Sequence, residues 1–328
     1  MKNKPIILVA GEPYSIFFEI FFKSLKRKSI RSISNPIILI ASKKLLINQM
    51  RSLKYKYKVN EIFFENLNTT KLNNQKINII NVNFNHKKTF DKITSRSTPY
   101  IKECCKVAIK LSNKLSLKVL INGPVSKKHF LKNKFPGMSE YFASKVGKKD
   151  KEVMLIFNET VSVSPVTTHF PLKKIFTQIT SKKIVQNVKT ISSFYKNYLN
   201  KTPKFALTGL NPHCESSAKV SEEKKIIIPA IKRLKKNKIK VSGPYPADTI
   251  FLKDNLKKFD IIVGMYHDQV LTPIKTIYGF DAINITLGLP FLRLTPDHGP
   301  NFSMLGKNKS SPESFIKTLE FAKKIKWN

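Results

Sequence analysis

The sequence predicts an α/β protein in which buried strands alternate with helices around a largely parallel sheet. Short apolar runs bounded by turn residues alternate along the chain with segments that carry apolar residues at helical spacing, which is typical of this fold class. At roughly 150 residues per domain, the 328 residues correspond to about two domains. A hydrophobic content of 41% supplies a packed core and excludes an intrinsically disordered chain.

The first half of the chain begins with a buried strand. Residues 5–10 form a continuous apolar run that ends at a Gly-Glu-Pro turn, and residues 15–27 then carry apolar side chains at helical spacing. The next predicted elements are a strand over 37–41 with a Lys- and Leu-rich helix after it, a strand over 77–82, a helix over 99–116 and a strand over 119–122. Apart from the strand over 77–82, residues 55–95 are polar, rich in asparagine and weakly patterned.

The second half repeats this alternation. The predicted strands are 153–157, 162–166, 205–210, 261–265 and 282–287, and the predicted helices are 181–199, 222–237 and 311–324. The chain shows no solenoid repeat and no Pro- or Ser-rich linker. We place a domain boundary near Gly123, where a strand runs into a Gly-Pro turn.

The formal net charge of +39 raises the question of nucleic-acid binding, because clustered cations release counterions from phosphates. Arginine occurs at only six positions, however, and the lysines spread along the whole chain without forming an arm or a stripe. The abundance of lysine, isoleucine and asparagine indicates the codon bias of an AT-rich genome. Nucleic-acid binders favour arginine for bidentate contacts, so we interpret the lysines as solvated surface residues and keep nucleic-acid binding as the weaker alternative.

The expected location is the cytoplasm, without a membrane span. No apolar run reaches the ~20 residues that cross a bilayer, and the apolar start of the chain is broken too early for a secretory signal. The three cysteines, Cys104, Cys105 and Cys214, form no Cys-x-x-Cys pair, and an odd number argues against a disulfide framework.

Glycine is distributed unevenly. Gly11 is the only glycine before Gly123. Because tight turns and close backbone approach to a ligand require glycine, we expect the chemistry to lie mainly after residue 120. The chain has neither the Gly-x-Gly-x-x-Gly fingerprint nor a P-loop, so a nucleotide site would be of another kind.

Three histidines share one setting. His169, His213 and His267 each follow the carboxyl end of a predicted strand. In open α/β sheets ligands bind at that edge, and three converging imidazoles can hold a divalent cation with positions left open for substrate. The alternative is that these are three loop histidines that never meet, since no local His-x-x-His spacing joins them.

Other polar residues lie in the same part of the chain. Lys275 and Asn284 follow His267, and Arg293 stands alone in an apolar run. The planar guanidinium suits a carboxylate or phosphate, although a structural ion pair is the competing interpretation. Asp248 is either a helix N-cap or a catalytic carboxylate.

Seven ordered motifs point to a known family. They resemble the 4-hydroxythreonine-4-phosphate dehydrogenase family of pyridoxal phosphate synthesis, and they extend from about Gly123 to the C-terminus. The motifs are Asn-Gly-Pro-Val-Ser-Lys (122–127), Thr-Thr-His-Phe-Pro-Leu (167–172), Gly-Leu-Asn-Pro-His (209–213), Pro-Ala-Asp-Thr (246–249), Met-Tyr-His-Asp-Gln (265–269), Asn-Ile-Thr-Leu-Gly-Leu-Pro-Phe-Leu-Arg (284–293) and Asp-His-Gly (297–299).

The resemblance implies a fold like that of the isocitrate and isopropylmalate dehydrogenases, with two α/β/α domains and a cleft between them. It implies a homodimer, and an NAD site that lacks the Gly-x-Gly-x-x-Gly fingerprint. We therefore expect an N-terminal α/β domain over residues 1–123, completed by residues 300–328. Residues 124–299 would form the metal, substrate and dimerisation domain.

The resemblance also assigns residues to the site. It implies that His169, His213 and His267 bind one divalent metal ion (zinc, magnesium or cobalt) at the subunit interface, with one ligand from the partner. It implies that Lys275, Asn284 and Arg293 bind the substrate. We add Met138 and Ser139, which occupy the position of a substrate-binding pair in the family.

The implied reaction is the NAD-dependent oxidation and decarboxylation of 4-phosphohydroxy-L-threonine to 3-amino-2-oxopropyl phosphate. NAD takes hydride from the carbon that bears the hydroxyl, and the metal stabilises the negative charge that develops before and after carbon dioxide leaves. A base must accept the hydroxyl proton. We assign Asp248 to that role and also place Lys275 among the catalytic residues.

The chain departs from the family in three places. The family's first loop, Gly-Asp/Glu-Pro-Ala-Gly-Ile-Gly-Pro-Glu, has lost its inner glycines in residues 11–19. Met138 replaces a histidine, which removes a charge and a hydrogen-bonding group, and Asp-His-Gly-Thr-Ala becomes Asp-His-Gly-Pro-Asn at 297–301. We therefore expect the metal chemistry to be kept, and we hold a dehydrogenase acting on another phosphorylated hydroxy acid as the alternative.

Overall fold

A computed structural model describes residues 4–67, 72–115, 118–132, 134–214, 221–279 and 282–325. Residue 116 of the predicted helix and residues 326–328 of the predicted C-terminal segment lie outside the described residues. The chain divides into two compact units. The first unit comprises residues up to Gly147 together with those from Leu289 onward, and the second unit comprises Lys148–Gly288.

This division differs from the predicted boundaries, because residues 124–147 and 289–299 belong to the first unit. The reason is apolar packing. Phe142 and Phe291 lie in the same buried cluster as Leu120, which is part of a central strand of the first unit. Segments that bury their apolar side chains in one core fold with that core, whatever turn the chain makes near Gly123.

The strands consist mainly of buried residues, as their apolar runs predict. They are β1 Ile6–Val9, β2 Ile37–Ala41, β3 Val59–Glu61, β4 Ile77–Asn81, β5 Val119–Asn122, β6 Val153–Phe157, β7 Ser162–Thr167, β8 Phe205–Thr208, β9 Val241–Tyr245, β10 Ile261–Tyr266, β11 Ile283–Leu287 and β12 Leu292–Thr295.

The helices are α1 Phe17–Ser24, α2 Lys28–Arg31, α3 Lys43–Ser52, α4 Thr98–Lys114, α5 Met138–Lys145, α6 Ile175–Gln178, α7 Ser181–Leu199, α8 Ile228–Lys236, α9 Lys253–Leu256, α10 His267–Tyr278 and α11 Glu313–Lys324. Short 3₁₀ turns occur at Phe64–Asn66, Ser95–Ser97, Leu172–Lys174, Pro212–Cys214 and Phe302–Met304, and π-helical turns at Lys127–Leu131 and Glu223–Ile227. Of the helices described, none is both long and apolar enough to cross a bilayer.

In the first unit, the strands follow the order β3-β4-β2-β1-β5-β12, and every neighbouring pair is parallel. Leu8 of β1 pairs in register with Leu39 of β2 and with Ile121 of β5. These central strands are buried on both faces, so they consist almost entirely of Ile, Leu and Val rather than alternating apolar and polar residues.

In the second unit, the order is β11-β6-β7-β10-β8-β9. The pairs β7–β10, β10–β8 and β8–β9 are parallel, whereas β6 runs antiparallel to both β7 and β11. The connection from β6 to β7 is only a few residues long, which suffices for a hairpin but not for a parallel crossover. The predicted α/β class and largely parallel sheet are therefore confirmed, with β6 as the exception.

Some elements escaped the sequence prediction. The strand β9 is only partly buried and contains Pro244, and β12 is four residues long with Arg293 at its centre. The helix α10 contains Pro273, which usually argues against a helix interior. Its buried Val270 and Ile274 pack in the apolar cluster of the second unit, and this burial stabilises the helix.

Candidate functional site

The three predicted histidines stand at one edge of the second unit's sheet. The strands β7, β10 and β8 are consecutive neighbours and parallel. His169 follows β7 by two residues, His267 directly follows β10 as the first residue of α10, and His213 lies in the turn after β8. The carboxyl ends of the three strands therefore carry one imidazole each.

The structure brings two of these histidines together and places the third beside a carboxylate. The ring centroids of His169 and His267 are 5.9 Å apart. His213 Nδ1 lies 4.0 Å from Asp248 Oδ2. Within the described part of a single chain, no three His, Cys, Asp or Glu side chains lie close enough together to hold a metal ion. The three-histidine metal site consequently stays a prediction.

The chemistry of these donors nevertheless suits a divalent ion. His267 Nδ1 and Asp268 Oδ1 are 2.6 Å apart. A carboxylate on one ring nitrogen orients the imidazole and makes the other nitrogen a better ligand, which is the usual arrangement around protein-bound metals. The chemistry of these residues therefore fits a divalent ion, although among the described residues of one chain only His169 and His267 lie close together.

The loop that carries His213 has an unusual backbone. His213 and Cys214 both have positive φ values, 55° and 62°. Residues with a side chain rarely adopt this left-handed conformation, and it occurs preferentially at functional sites. A Cβ atom at Gly209 would lie 2.7 Å from Cys214 Sγ and 3.2 Å from Cys214 Cα, so the loop folds back closely on Gly209 and a larger residue there would require the Cys214 side chain to shift.

Asp248 lies in an exposed turn next to His213 and caps no helix. The nearest helix, α9, begins at Lys253 and is preceded by Leu252. The N-cap interpretation of Asp248 is therefore wrong, because the chain makes a separate turn between β9 and α9. The catalytic-carboxylate interpretation stays a prediction, and the side chain is accessible to a ligand, with 58% of its surface exposed.

The two predicted substrate residues of the second unit differ in environment. Lys275 is exposed on α10, about two turns from His267. Asn284 lies on β11, and its buried Oδ1 has no hydrogen-bond partner among the described residues. Buried polar atoms are nearly always hydrogen-bonded in native proteins, so a donor supplied by a ligand or by a water molecule would fit at this oxygen.

In the first unit, Arg293 is buried and engaged by its neighbours. Its Nε donates to Asn122 Oδ1 at 2.7 Å, and Nη1 donates to Ser139 Oγ at 3.2 Å. The guanidinium carbon lies 5.6 Å from the centroid of the Phe142 ring. The predicted pair Ser139 and Arg293 is thus in direct contact, while Met138 packs against the apolar cluster of this unit.

The guanidinium of Arg293 keeps its charge despite this burial. Burial lowers the pKa of Arg293 to about 10, and Glu140 and Cys105 act in the opposite direction. At neutral pH the side chain is therefore a buried cation.

Sequence reasoning missed Glu12, which follows β1 at the carboxyl edge of the first unit's sheet. Glu12 is 1% exposed, and neither carboxylate oxygen makes a well-formed hydrogen bond with the described residues. Burial raises the pKa of Glu12 to about 7, while Ser97 and the backbone of Ser126 lower it only in part. The strand-end rule that we applied to the histidines would have identified this residue.

Comparisons with known proteins agree with this architecture. Residues 32–322 match the family described as "Pyridoxal phosphate biosynthetic protein PdxA". The chain is 33% identical over 97% of both chains to a protein of Sulfurihydrogenibium sp. (strain YO3AOP1) named 4-hydroxythreonine-4-phosphate dehydrogenase.

Solved structures give the same result. A putative 4-hydroxythreonine-4-phosphate dehydrogenase from Salmonella typhimurium superposes with a TM-score of 0.85 at 26% identity, covering 98% of this chain and 99% of that one. A β-decarboxylating dehydrogenase from Thermococcus kodakarensis gives a TM-score of 0.51 at 8% identity, covering 97% and 82%, a likeness that concerns the fold alone. The fold is therefore of the predicted kind, and the chain belongs to the PdxA family of pyridoxal phosphate biosynthetic proteins.

Proposed function

We propose that this protein oxidises and decarboxylates 4-phosphohydroxy-L-threonine to 3-amino-2-oxopropyl phosphate, with NAD and one divalent metal ion, in pyridoxal phosphate synthesis. The observation that carries the proposal is the placement of His169, His267 and His213 at the carboxyl ends of three adjacent parallel strands, in a chain of the PdxA family. This edge of an α/β sheet is the usual position of a ligand site.

When bound, the divalent ion supplies Lewis acidity at the substrate hydroxyl and NAD accepts the hydride. His169 and His267 are the pair that would hold the ion, with His213 as the third ligand, and the Asp268 carboxylate keeps the His267 ring in orientation. Zinc, magnesium and cobalt are the candidate ions. The imidazole donors favour zinc or cobalt over magnesium.

The other residues of the second unit have roles that follow from their chemistry. Asp248 accepts the hydroxyl proton as an exposed carboxylate beside His213. Lys275 presents an exposed ammonium group for a phosphate or carboxylate, and we place it among the catalytic residues. Asn284 Oδ1 accepts a hydrogen bond from a substrate donor, as its lack of a partner among the described residues supports.

In the first unit, Arg293 supplies a buried cation for an anionic substrate group, and Ser139 helps to fix its orientation. Met138 provides an apolar contact. For NAD, the residue whose chemistry fits is Glu12, whose two buried carboxylate oxygens make no well-formed hydrogen bond with the described residues. Such an acceptor pair suits the hydroxyls of a ribose.

We further propose a homodimer that completes the metal site. Phe170, Leu172 and Phe176, directly after His169, are large apolar side chains exposed by 38%, 69% and 57%. Contiguous exposed apolar residues are typical of protein interfaces. A second copy covering this segment would place its own ligands near the incomplete set of the first. A cytoplasmic location is supported by three free cysteines, which suit a reducing compartment.

The test is a single assay on the purified protein. Incubation with 4-phosphohydroxythreonine, NAD and a divalent metal should give an increase in NADH absorbance that a chelator abolishes. No metal-dependent increase would refute the proposal. Sedimentation of the same sample measures the oligomeric state, and Leu172→Glu should convert a dimer into monomers, whereas the exposed Leu252→Glu should not.

A second candidate is a dehydrogenase of the same family that acts on another phosphorylated hydroxy acid. The observation in its favour is Met138, which stands where the family has histidine and packs against the apolar cluster. Phosphorylated hydroxy acids that lack the amino group, tested in the same assay, separate the two. Faster turnover of these compounds than of 4-phosphohydroxythreonine would favour the second candidate.

A further inference from the structure

The side chain of Gln269 joins the ends of β8 and β10. Its Oε1 accepts hydrogen bonds from Thr208 Oγ1 and from the Met265 backbone N–H, both at 2.7 Å, and its Nε2 donates to the Gly209 carbonyl oxygen at 2.8 Å. A backbone N–H only donates and a carbonyl only accepts, so these partners determine which way the amide points. Thr208 is the last residue of β8 and Met265 lies near the end of β10.

Glu223 binds Leu210 and Asn211, the next residues of the loop after β8. Its Oε1 accepts from the backbone N–H groups of Leu210 and Asn211 at 2.8 and 2.9 Å, and its Oε2 accepts from Asn211 Nδ2 at 3.0 Å. Glu223 is 2% exposed. Burial alone would raise its pKa, but the hydrogen bonds from Asn211 and Leu210 outweigh burial and lower the pKa to about 2. The carboxylate is therefore ionised at neutral pH.

Together the two side chains engage three successive residues, 209, 210 and 211, which only Pro212 separates from His213. His213 and Cys214 have left-handed backbone conformations that a free loop would not keep. The first turn of α10 begins with His267, two residues before Gln269. The same amide that holds the His213 loop therefore also belongs to the helix turn that carries His267.

We propose that Gln269 and Glu223 are positioning residues, which fix loop 209–214 against the first turn of α10 and so set the place from which His213 binds the divalent ion. The inference rests on the proposed function for the identity of that ion. Neither residue needs to touch the ion or the substrate. Their effect is exerted through the backbone of the loop.

The test compares wild-type protein with Gln269→Met and Glu223→Gln. Methionine has nearly the shape of glutamine but lacks its hydrogen bonds, and glutamine removes the charge of Glu223. Calorimetric titration with Co²⁺ or Zn²⁺ alone should show binding weakened by about 10- to 100-fold in both variants, as is usual when groups that orient a metal ligand are removed. Hydrogen exchange should accelerate at the backbone amides of residues 209–211, 213 and 214.

The matched control is Tyr195→Phe. Tyr195 donates a buried hydrogen bond to Ser162 Oγ at 2.8 Å, at the amino end of β7, within the same unit. The Tyr195→Phe substitution also removes one buried hydrogen bond, but at the amino end of β7. The metal affinity of this variant and its hydrogen exchange in loop 209–214 should therefore equal those of the wild type. If Gln269→Met does not fold, Thr208→Val removes one donor to Gln269 without changing the shape of the strand residue, and a smaller weakening is expected.

The outcomes separate the inference from the proposed function. Wild-type protein that binds no metal contradicts the proposed function, and the exchange of residues 209–214 still tests the positioning role. If the wild type binds metal, folded variants with unchanged hydrogen exchange and unchanged metal affinity would overturn the inference. If the wild type binds no metal, folded variants with unchanged hydrogen exchange would overturn it. Faster exchange without weaker metal binding would also overturn it, because the loop would then be held for stability alone.

Discussion

Arg293 on β12 and Asn122 at the end of β5 are joined by a hydrogen bond of 2.7 Å between Nε and Oδ1, although 171 positions separate them in the chain. The bond connects adjacent parallel strands of the first unit. Asn122 also donates from Nδ2 to the Gly123 carbonyl oxygen at 2.8 Å. One amide thus links the buried cation to the Gly-Pro turn that follows β5.

Replacing Arg293 by lysine should destabilise the protein, although the charge is kept. Lysine cannot reproduce the planar contacts with Asn122 and Ser139, and hydrogen bonds to a charged group contribute about 1.5–3 kcal/mol each. We expect Arg293→Lys to lower the free energy of unfolding by about 2–4 kcal/mol. Urea unfolding measures this, with Ser139→Ala as the milder comparison. Equal stability of Arg293→Lys and wild type would show that the contacts do not matter.

Gly11 should not tolerate alanine. Its φ is +76°, and a Cβ atom would lie 2.4 Å from the Pro124 carbonyl oxygen, which is part of the backbone and cannot easily move. Gly147 has a similar φ of +65° but no atom within 4 Å of an added Cβ. We expect Gly147→Ala to cost about 1–2 kcal/mol, from the left-handed conformation alone, and Gly11→Ala to cost clearly more. Similar melting temperatures for the two variants would contradict the close approach.

Glu12 should make the stability of the ligand-free protein depend on pH. Its pKa rises from 4.5 to about 7 on folding, so the folded state holds the proton more tightly. The free energy of unfolding is therefore undiminished below the unfolded-state pKa of 4.5. It declines as the pH rises from there through the folded-state pKa of about 7. At about 1.4 kcal/mol per pKa unit, the loss amounts to about 3 kcal/mol.

Glu12→Gln removes that titration. The stability of the variant relative to wild type should increase by about 3 kcal/mol between about pH 5 and about pH 8. Chemical unfolding at several pH values measures the difference. Because glutamine introduces its own buried donors, the informative quantity is the slope with pH and not the offset at one pH. Parallel curves would mean that Glu12 is ionised normally.

His267→Ala should abolish metal-dependent NADH formation and metal binding while leaving the fold intact. His267 is partly exposed and lies at the start of α10, so its truncation should change the free energy of unfolding by less than about 1 kcal/mol. His86→Ala is the control, because His86 lies in the first unit and contacts Asn48 and the Phe84 backbone. Near-normal turnover in His267→Ala would remove this residue from the site.

Most of the fold was predictable because its signals are local. The apolar runs of β1, β2 and β5 are buried on both faces, and such runs are recognisable without knowing their neighbours. The short strand β12 and the helix α10 with its internal proline were not predictable in this way. The strand pairs with β5, far away in the chain, and the helix buries Val270 and Ile274 in the apolar cluster of the second unit. The placement of 124–147 in the first unit has the same origin.

By itself, the sequence determined the α/β class, the family resemblance and the placement of His169, His213 and His267 after strands, because a strand end is a property of a few consecutive residues. Only the tertiary structure decided which side chains meet: His169 with His267, His213 with Asp248, and Gln269 with the loop after β8. It also decided that the Glu12 carboxylate is buried without a well-formed hydrogen bond to the described residues. The physical reason is that these contacts depend on which strands become neighbours, and that choice is made by the burial of the whole core.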